Sequence, residues 1–360
     1  MRIGINGRFL LHPNTGIGQY TLNLLKILPK IDSESEYTVC VPQKVKFDFP
    51  KNVKIEVVPE MAFGSAGMKK THWEQIKVPA FFEKMEVDAA IFPYPCNPWS
   101  FSWLEKGIKT LVVVHDVIPW TDRRYLHGVM SGLYHWQTKK AVKSADKILT
   151  VSETSKKMIA KVCGVSKKKI FVAYNDVADT YKKNLVTEKS DKILKKLKLS
   201  IGKYVLYVGG FDVRKNVKFL VSEYKASGFD MPLCLVGGKQ TSFEGENIVS
   251  TGVLDQETLA ALYTHCFCFV NLSESEGFNV PILEAENRGI PAIISDIEVH
   301  KELYKDAALL INLKPGKLAE ALKKMKGIRV RNKLITEALK NKEKYNWITS
   351  VEIIKNLLNS

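Results

Sequence analysis

The chain has little that points to disulfides, a metal centre or a membrane span. Its 360 residues hold six cysteines, at 40, 96, 163, 234, 266 and 268, with no Cys-x-x-Cys pair among them. That scatter predicts reduced, structural thiols and a cytoplasmic setting. Cys266 and Cys268 alternate along an apolar run, so they read as strand core and not as metal ligands. There is no Asp-x-Asp pair, which leaves a metal bridging a diphosphate without an obvious holder. No apolar run approaches the length of about 18 residues needed to cross a bilayer. Met1 leads directly into Arg-Ile-Gly-Ile-Asn, read as a first buried strand and not as a secretory leader. Fixed short repeats and low-complexity segments are also missing.

What is present in excess is positive charge. Lysine and arginine total 54 against 38 acidic residues, a net +16, which admits nucleic acid, an anionic membrane surface or a phosphorylated small molecule as partner. The cations are spread along the chain, with short clusters at Lys167–Lys169 and Lys323–Lys326, and no basic stripe is interleaved with aromatics as in single-strand binders. Nucleic acid is therefore not the expected partner.

Length predicts two domains, and β-branched runs alternating with amphipathic stretches predict parallel sheets wound with helices. Expected strands are 2–6, 37–41, 53–58, 88–92, 110–114, 147–151 and 170–174 in the first half. The second half offers 204–208, 233–236, 266–270, 292–294 and 308–311. Leu111-Val-Val-Val114 shows no polar alternation, as a strand covered on both faces requires. A polar, lysine-rich stretch from Tyr181 to Ser200 marks the boundary, and the last ~50 residues read as helical. The order implies two doubly wound domains with a cleft between the C-terminal ends of their strands.

Four places carry chemistry. Gly16 and Gly18, in Thr15-Gly-Ile-Gly-Gln-Tyr20, let backbone approach a ligand, but Thr21 stands where a dinucleotide fingerprint needs a third glycine, which weakens a dehydrogenase reading. His115 and Asp116 follow the 110–114 strand at the end where open α/β sheets bind ligands, and Trp120, Arg123, Arg124 and Tyr125 beyond them could shape an acceptor site. Arg214 and Lys215 fall between a strand and a helix, where two cations oppose the helix dipole unless an anion joins them. A diphosphate is the expected anion. Ser275 to Glu284 then places Glu276 and Glu284 eight positions apart around a Gly277-Phe278-Asn279 turn and a helix that Pro281 can open. Ionised carboxylates accept hydrogen bonds from sugar hydroxyls. A nucleotide sugar satisfies all of these together.

These residues resemble the retaining glycosyltransferases of family 4. The resemblance spans nearly the whole chain through residues 15–20, Trp73-Glu-Gln75, Val114-His-Asp-Val117, Ala145 to Ser152, Arg214-Lys-Asn216, Ser275 to Glu284 and Tyr345-Asn-Trp347. It implies an α/β GT-B fold, two doubly wound Rossmann-like domains facing across a cleft. The implied domains are 1–182 on the acceptor side, 183–345 for the donor and 346–360 as a helix returning to the first. It further implies Glu284 on the nucleotide ribose, Glu276 on the transferred sugar and the backbone of Gly277, Phe278 and Asn279 facing sugar and phosphate. Arg214 and Lys215 would hold the diphosphate, Gly16 and Gly18 would approach it, and His115 would lie near the sugar. Two departures stand out: Asn279 where many members have glycine, and Phe211 where some have arginine. Asn279 is thus the first candidate for tuning the accepted sugar.

The closest likeness is to mannosyltransferases of O-antigen or exopolysaccharide assembly, which favours GDP-mannose over a UDP-hexose, with no metal cofactor. A glycan or lipid-linked acceptor is implied, with Met68 to Trp73, Ile76, Val78, Phe81 and Phe82 as a candidate contact with an anionic membrane. The competing classes are a dehydrogenase and a non-catalytic nucleotide-sugar-binding or nucleic-acid-binding protein.

Overall fold

The computed structural model describes residues 1–98, 107–122, 124, 129–182, 188–238, 243 and 245–360. Arg123 and Tyr125 lie outside the described residues. The chain forms two compact units: Met1–Asn175 with Asn346–Ser360, and Asp176–Tyr345.

In the first unit, β1 (Arg2–Asn6), β2 (Glu36–Val41), β3 (Val53–Val57), β4 (Ala89–Phe92), β5 (Lys109–Val113), β6 (Lys147–Thr150) and β7 (Ile170–Val172) make one sheet, ordered β3-β2-β1-β4-β5-β6-β7. Every pairing is parallel. The apolar run after Thr110 is explained by its two destinations. Leu111 and Val113 enter a core with the helices Gly16–Ile31 and Trp347–Asn359. Val112 and Val114 enter the core on the other face with Trp73, Val78, Phe82 and Ile159. A strand buried on both faces reads as a continuous apolar run and not as an alternation.

The returning helix Trp347–Asn359 begins at Asn346, whose side chain accepts from the Ile348 amide at 2.8 Å. Trp347, Val351, Ile354 and Leu358 recur at helical spacing and are buried in the core that holds Leu24 and Leu28. This stripe is what ties the last residues to the first unit.

The second unit contains β8 (Val205–Val208), β9 (Leu233–Val236), β10 (Ile248–Gly252), β11 (Cys268–Asn271), β12 (Ala292–Ser295) and β13 (Ala308–Ile311), ordered β10-β9-β8-β11-β12-β13. These pairings are parallel too. β10, absent from the strands expected above, is an edge strand whose first three residues are only half-buried, so Ile248-Val-Ser-Thr carries no strong apolar signal. The short helix Asp179–Lys182 stands on the first-domain side of the compositional boundary yet belongs to the second unit. Tyr181 is buried edge-on against Tyr263, ring centroids 5.8 Å apart.

All six cysteines are free and buried. No helix among the described residues is long and apolar enough to cross a membrane.

Candidate functional site

Open parallel sheets bind ligands where strand order reverses, because the connections leave in opposite directions and open a crevice at the strand ends. In the second unit that point lies between β8 and β11, neighbours whose chains proceed to β9 on one side and β12 on the other. The loops leaving β8 and β11 carry Arg214, Lys215 and Glu276. A backbone hydrogen bond from the Glu274 amide to the Arg214 carbonyl, 2.8 Å, joins the two loops.

Arg214 and Lys215 do not sit on the helix that follows. They belong to a separate 3-10 turn, Val213–Lys215, and the helix Val217–Ala226 starts only after Asn216 takes a left-handed φ of 55°. Nor do the two cations await an outside anion. Arg214 Nη1 lies 2.5 Å from Glu276 Oε2, and Lys215 Nζ 2.6 Å from Glu276 Oε1. The Arg214 Nε also faces Asp212 Oδ1 at 3.3 Å. The dipole argument for an anion at this position is therefore met from within the chain, by Glu276. Burial pushes the Glu276 carboxyl up, but the adjacent Lys215 and Arg214 charges outweigh it and hold the group down to about 2. The triad carries one net positive charge, and Asp212 balances that.

Glu284 sits inside the helix Val280–Asn287, with the Tyr263 hydroxyl 2.8 Å from its Oε2. Desolvation raises its carboxyl to about 7, against the lowering effect of that hydroxyl. Two positions on, Glu286 is pushed up to about 8 by burial, and only then eased by Asn341 Nδ2, 3.1 Å from both of its oxygens. It is a tether to the helix Ile328–Asn341.

Asn279 opens the same helix with φ 74°, a left-handed backbone that favours glycine and is next most tolerable to asparagine. Its side chain points inward, with 5% of the residue exposed. Nδ2 donates to Asn271 Oδ1 at 3.1 Å and to His300 Nε2 at 2.9 Å. His300 can accept there because its Nδ1 donates to the Ser295 carbonyl at 2.9 Å. The side chain is thus committed to the core beneath the loop, away from any sugar that the loop backbone would meet. Phe278 is buried as well, edge-on to Tyr345, and the Tyr304 hydroxyl lies 3.3 Å from the carbonyls of Phe278 and Asn279. Gly277 is buried between Glu276 and Phe278.

In the first unit the glycines serve local folding. Thr15 caps the helix Gly16–Ile31 by accepting from the Gly18 amide at 3.2 Å. A Cβ on Gly18 would lie 2.1 Å from the His12 carbonyl oxygen, so its close approach is to the chain itself. Gly16 meets nothing within 4 Å and is the open member of the pair. His115 stands at the carboxyl end of β5, edge-on to Tyr20 at 4.8 Å, and its Nε2 donates to the Pro93 carbonyl at 3.0 Å. Burial lowers its pKa to about 4 despite that bond, so at neutral pH it is an uncharged ring whose Nδ1 is an acceptor. The Asp116 carboxylate accepts from the Ile118 amide at 3.0 Å and so starts the turn Ile118–Thr121. Trp120 stacks on His135, and Arg124 pairs with Asp122 at 2.7 Å.

The fold therefore gathers Arg214, Lys215 and Glu276 into one cluster, with Glu284 further along the helix that follows. Asp212, Tyr263 and His300 are participants that sequence reasoning missed. Asp212 is close in sequence and was legible in principle; nothing local marks Tyr263 or His300. Among the described residues no three of His, Cys, Asp or Glu come together to hold a metal ion.

Two family models match the chain: "Glycosyltransferase Family 4" over residues 14–179 and "Glycosyl transferases group 1" over residues 202–326. Among similar curated proteins, the O-antigen chain mannosyltransferase RfbU of Salmonella typhimurium is 31% identical over 213 residues, 56% of this chain and 56% of that protein. This chain thus spans just over half of that relative's length. The O-antigen chain mannosyltransferase B of Escherichia coli is 28% identical over 83% of each chain. The solved sucrose-phosphate synthase from Thermosynechococcus elongatus superposes with a TM-score of 0.80 at 15% identity, over 100% of this chain and 98% of that one.

Two outcomes test this geometry. Asn279→Ala and Asn279→Gly both lose the amide bonds, but only alanine strains a left-handed backbone, so the alanine variant should be about 1 kcal/mol less stable in urea unfolding. Equal stabilities would contradict the assigned backbone. Glu284→Gln tests the raised carboxyl. From the ordinary 4.5 up to about 7 the folded state holds a proton that the unfolded chain has released, so stability falls as pH rises across that window. The Gln variant should melt with wild type near pH 5 and above it at pH 8; a gap independent of pH would count against the buried carboxyl.

Proposed function

The chain belongs to the family 4 glycosyltransferases, and we propose that it moves a hexose, mannose from GDP-mannose in the first instance, onto a glycan or lipid-linked acceptor in surface polysaccharide synthesis. The observation that carries the donor reading is the Arg214–Glu276–Lys215 triad at the switch point of the second unit, with Glu284 in the helix that follows. Mannose is favoured by the likeness to O-antigen mannosyltransferases; a UDP-hexose is the second donor to try.

In this reading the diphosphate approaches Arg214 and Lys215 while Glu276 keeps them in place and meets the sugar hydroxyls. Glu284 accepts from the ribose hydroxyls, which a carboxylate does best when ionised. As the bond from sugar to diphosphate breaks, negative charge grows on the departing oxygen, and cations already fixed by Glu276 stabilise it without rearrangement. The acceptor oxygen bonds to the anomeric carbon from the face that the diphosphate leaves, and its proton passes to the departing oxygen, giving retention. The two cations do the neutralising that a bridging metal would otherwise do, so no metal is required.

An assay of donor consumption across GDP-, UDP- and ADP-sugars names the nucleotide. GDP-mannose turnover that survives EDTA is expected, and no turnover of any nucleotide sugar would remove the reading. Within it, Arg214→Ala should slow the single-turnover step about 100-fold or more while changing donor affinity far less. A loss of donor affinity with the single-turnover rate unchanged would assign Arg214 to binding alone.

We place the enzyme in the cytoplasm against an anionic membrane face. Of the stretch expected at the membrane, Met68 and Ile76 are 59% and 55% exposed, and Phe63, which precedes it, is 76% exposed, with Lys77 and Lys84 exposed nearby. Val78 and Phe82 are fully buried in the first unit's core and are not part of such a contact. Vesicles containing anionic phospholipid should sediment the protein more than neutral ones, and Phe63→Ser with Met68→Ser should abolish the difference. Sedimentation indifferent to lipid charge and to these changes would exclude the membrane contact.

A further inference from the structure

The first unit has a switch point of its own, between β1 and β4, whose chains continue to β2 on one side and β5 on the other. The residues gathered there are not those that the strand-end reasoning picked out. Arg8, two residues past β1, pairs with Glu60, beyond β3, and its guanidinium lies 5.5 Å from the Trp73 ring centre. Glu74 accepts from the Tyr94 hydroxyl at 2.5 Å, and Lys70 stands 3.8 Å from Glu74 and 5.3 Å from the centre of the Tyr94 ring. Tyr94 lies two residues past β4. The Arg8, Glu60 and Lys70 side chains remain 19%, 26% and 39% exposed, whereas Glu74 is 9% exposed.

Two features set this network apart from an ordinary surface ion pair. Glu74 is presented by a π-helical turn, Trp73–Lys77, inserted between the α-helical segments Ala66–His72 and Val78–Lys84. Such turns are rare and are frequently found at functional sites. Glu74 is also costly: burial raises its pKa in spite of Lys70 and Tyr94, and an apolar side chain would fill the same space more cheaply. Trp73 and Gln75 have structural uses. The Trp73 ring N–H donates to the Val58 carbonyl at 2.6 Å, and Gln75 Nε2 lies 3.3 Å from the carbonyls of Cys96 and Asn97. Those bonds hold the turn against β3 and the loop after β4, and they fix where Glu74 points.

We propose that Arg8, Glu60, Lys70, Glu74 and Tyr94 form a subsite for a neutral sugar residue of the acceptor. This rests on the glycosyltransferase reading. The groups within reach select the ligand: Arg8 and Lys70 offer hydrogen-bond donors and Glu60 offers acceptors, all partly exposed in one network. Sugar hydroxyls both donate and accept, so one ring can bond to carboxylates and cations in the same frame. The partly exposed Arg8, Glu60 and Lys70 are the groups that a ligand reaches; Glu74 positions Lys70 and the Tyr94 hydroxyl from beneath.

The test uses the full chain with methyl α-glycosides of mannose, glucose, galactose and N-acetylglucosamine as probes, read by saturation-transfer NMR. Wild type should bind at least one of them. Glu60→Gln combined with Lys70→Met should weaken that binding at least tenfold while leaving GDP-mannose affinity unchanged. Should the double variant fail to fold, Arg8→Lys is the substitute, since it keeps the charge and removes the planar fork. No glycoside binding to wild type, or equal binding to wild type and variants, overturns the subsite. Donor turnover is read separately: glycoside binding without turnover of any nucleotide sugar would sink the transferase reading and leave the subsite standing.

Discussion

The second unit depends on one carboxylate held between two cations. Glu276 lies between Arg214 and Lys215 at 2.5 and 2.6 Å, and the three belong to loops that leave neighbouring strands of the sheet. None would be tolerable there alone. Removing one partner from a buried ion pair leaves an uncompensated charge and costs about 3–5 kcal/mol, so the triad fixes the two loops to each other as firmly as it fixes the charges. It also sets the terms on which an anionic ligand arrives. In the proposed reading, a diphosphate would enter a field already balanced by Glu276 and Asp212 and would gain from cations that do not have to be gathered on binding. That preorganisation is what electrostatic catalysis requires.

The same economy recurs beneath the loop. His300, Asn279 and Asn271 make a neutral chain of hydrogen bonds, and each bond decides the next: the Ser295 carbonyl fixes the His300 tautomer, which makes Nε2 an acceptor, which takes the Asn279 amide. A side chain expected to shape the sugar pocket instead holds a left-handed residue in place at the start of a helix. The first unit shows the parallel case at Gly18, whose missing side chain makes room for the carbonyl of His12 and whose amide is capped by Thr15. At both places a feature that reads as a ligand contact is used by the backbone for its own turn.

The two sheets divide their labour in a way that strand order explains. Each reverses direction once, and at each reversal the strand ends carry charge that a packed core would exclude. In the second unit the charge is a buried triad with a carboxylate further along the following helix. In the first it is a balanced and partly exposed network over aromatic rings, with an uncharged His115 at the end of the next strand. One holds its cations fixed in a buried cluster, the other leaves donors and acceptors partly open to solvent.

Sequence alone determined the two-unit α/β architecture. Continuous apolar runs such as Leu111 to Val114 read as strands covered on both faces, and the closing residues read as helical, while their return to the first unit was implied only by the family resemblance. The sequence also singled out Arg214, Lys215, Glu276 and Glu284, because charged residues beside strand ends stand out against apolar runs. What it could not supply were partners distant along the chain. That Glu276 is itself the anion facing Arg214 and Lys215, that Asn279 turns inward to His300, and that Arg8, Glu60, Lys70 and Glu74 meet at one crevice depend on which strands are neighbours. Hydrogen bonds and ion pairs act over a few ångströms in space, and only the folded chain sets those distances.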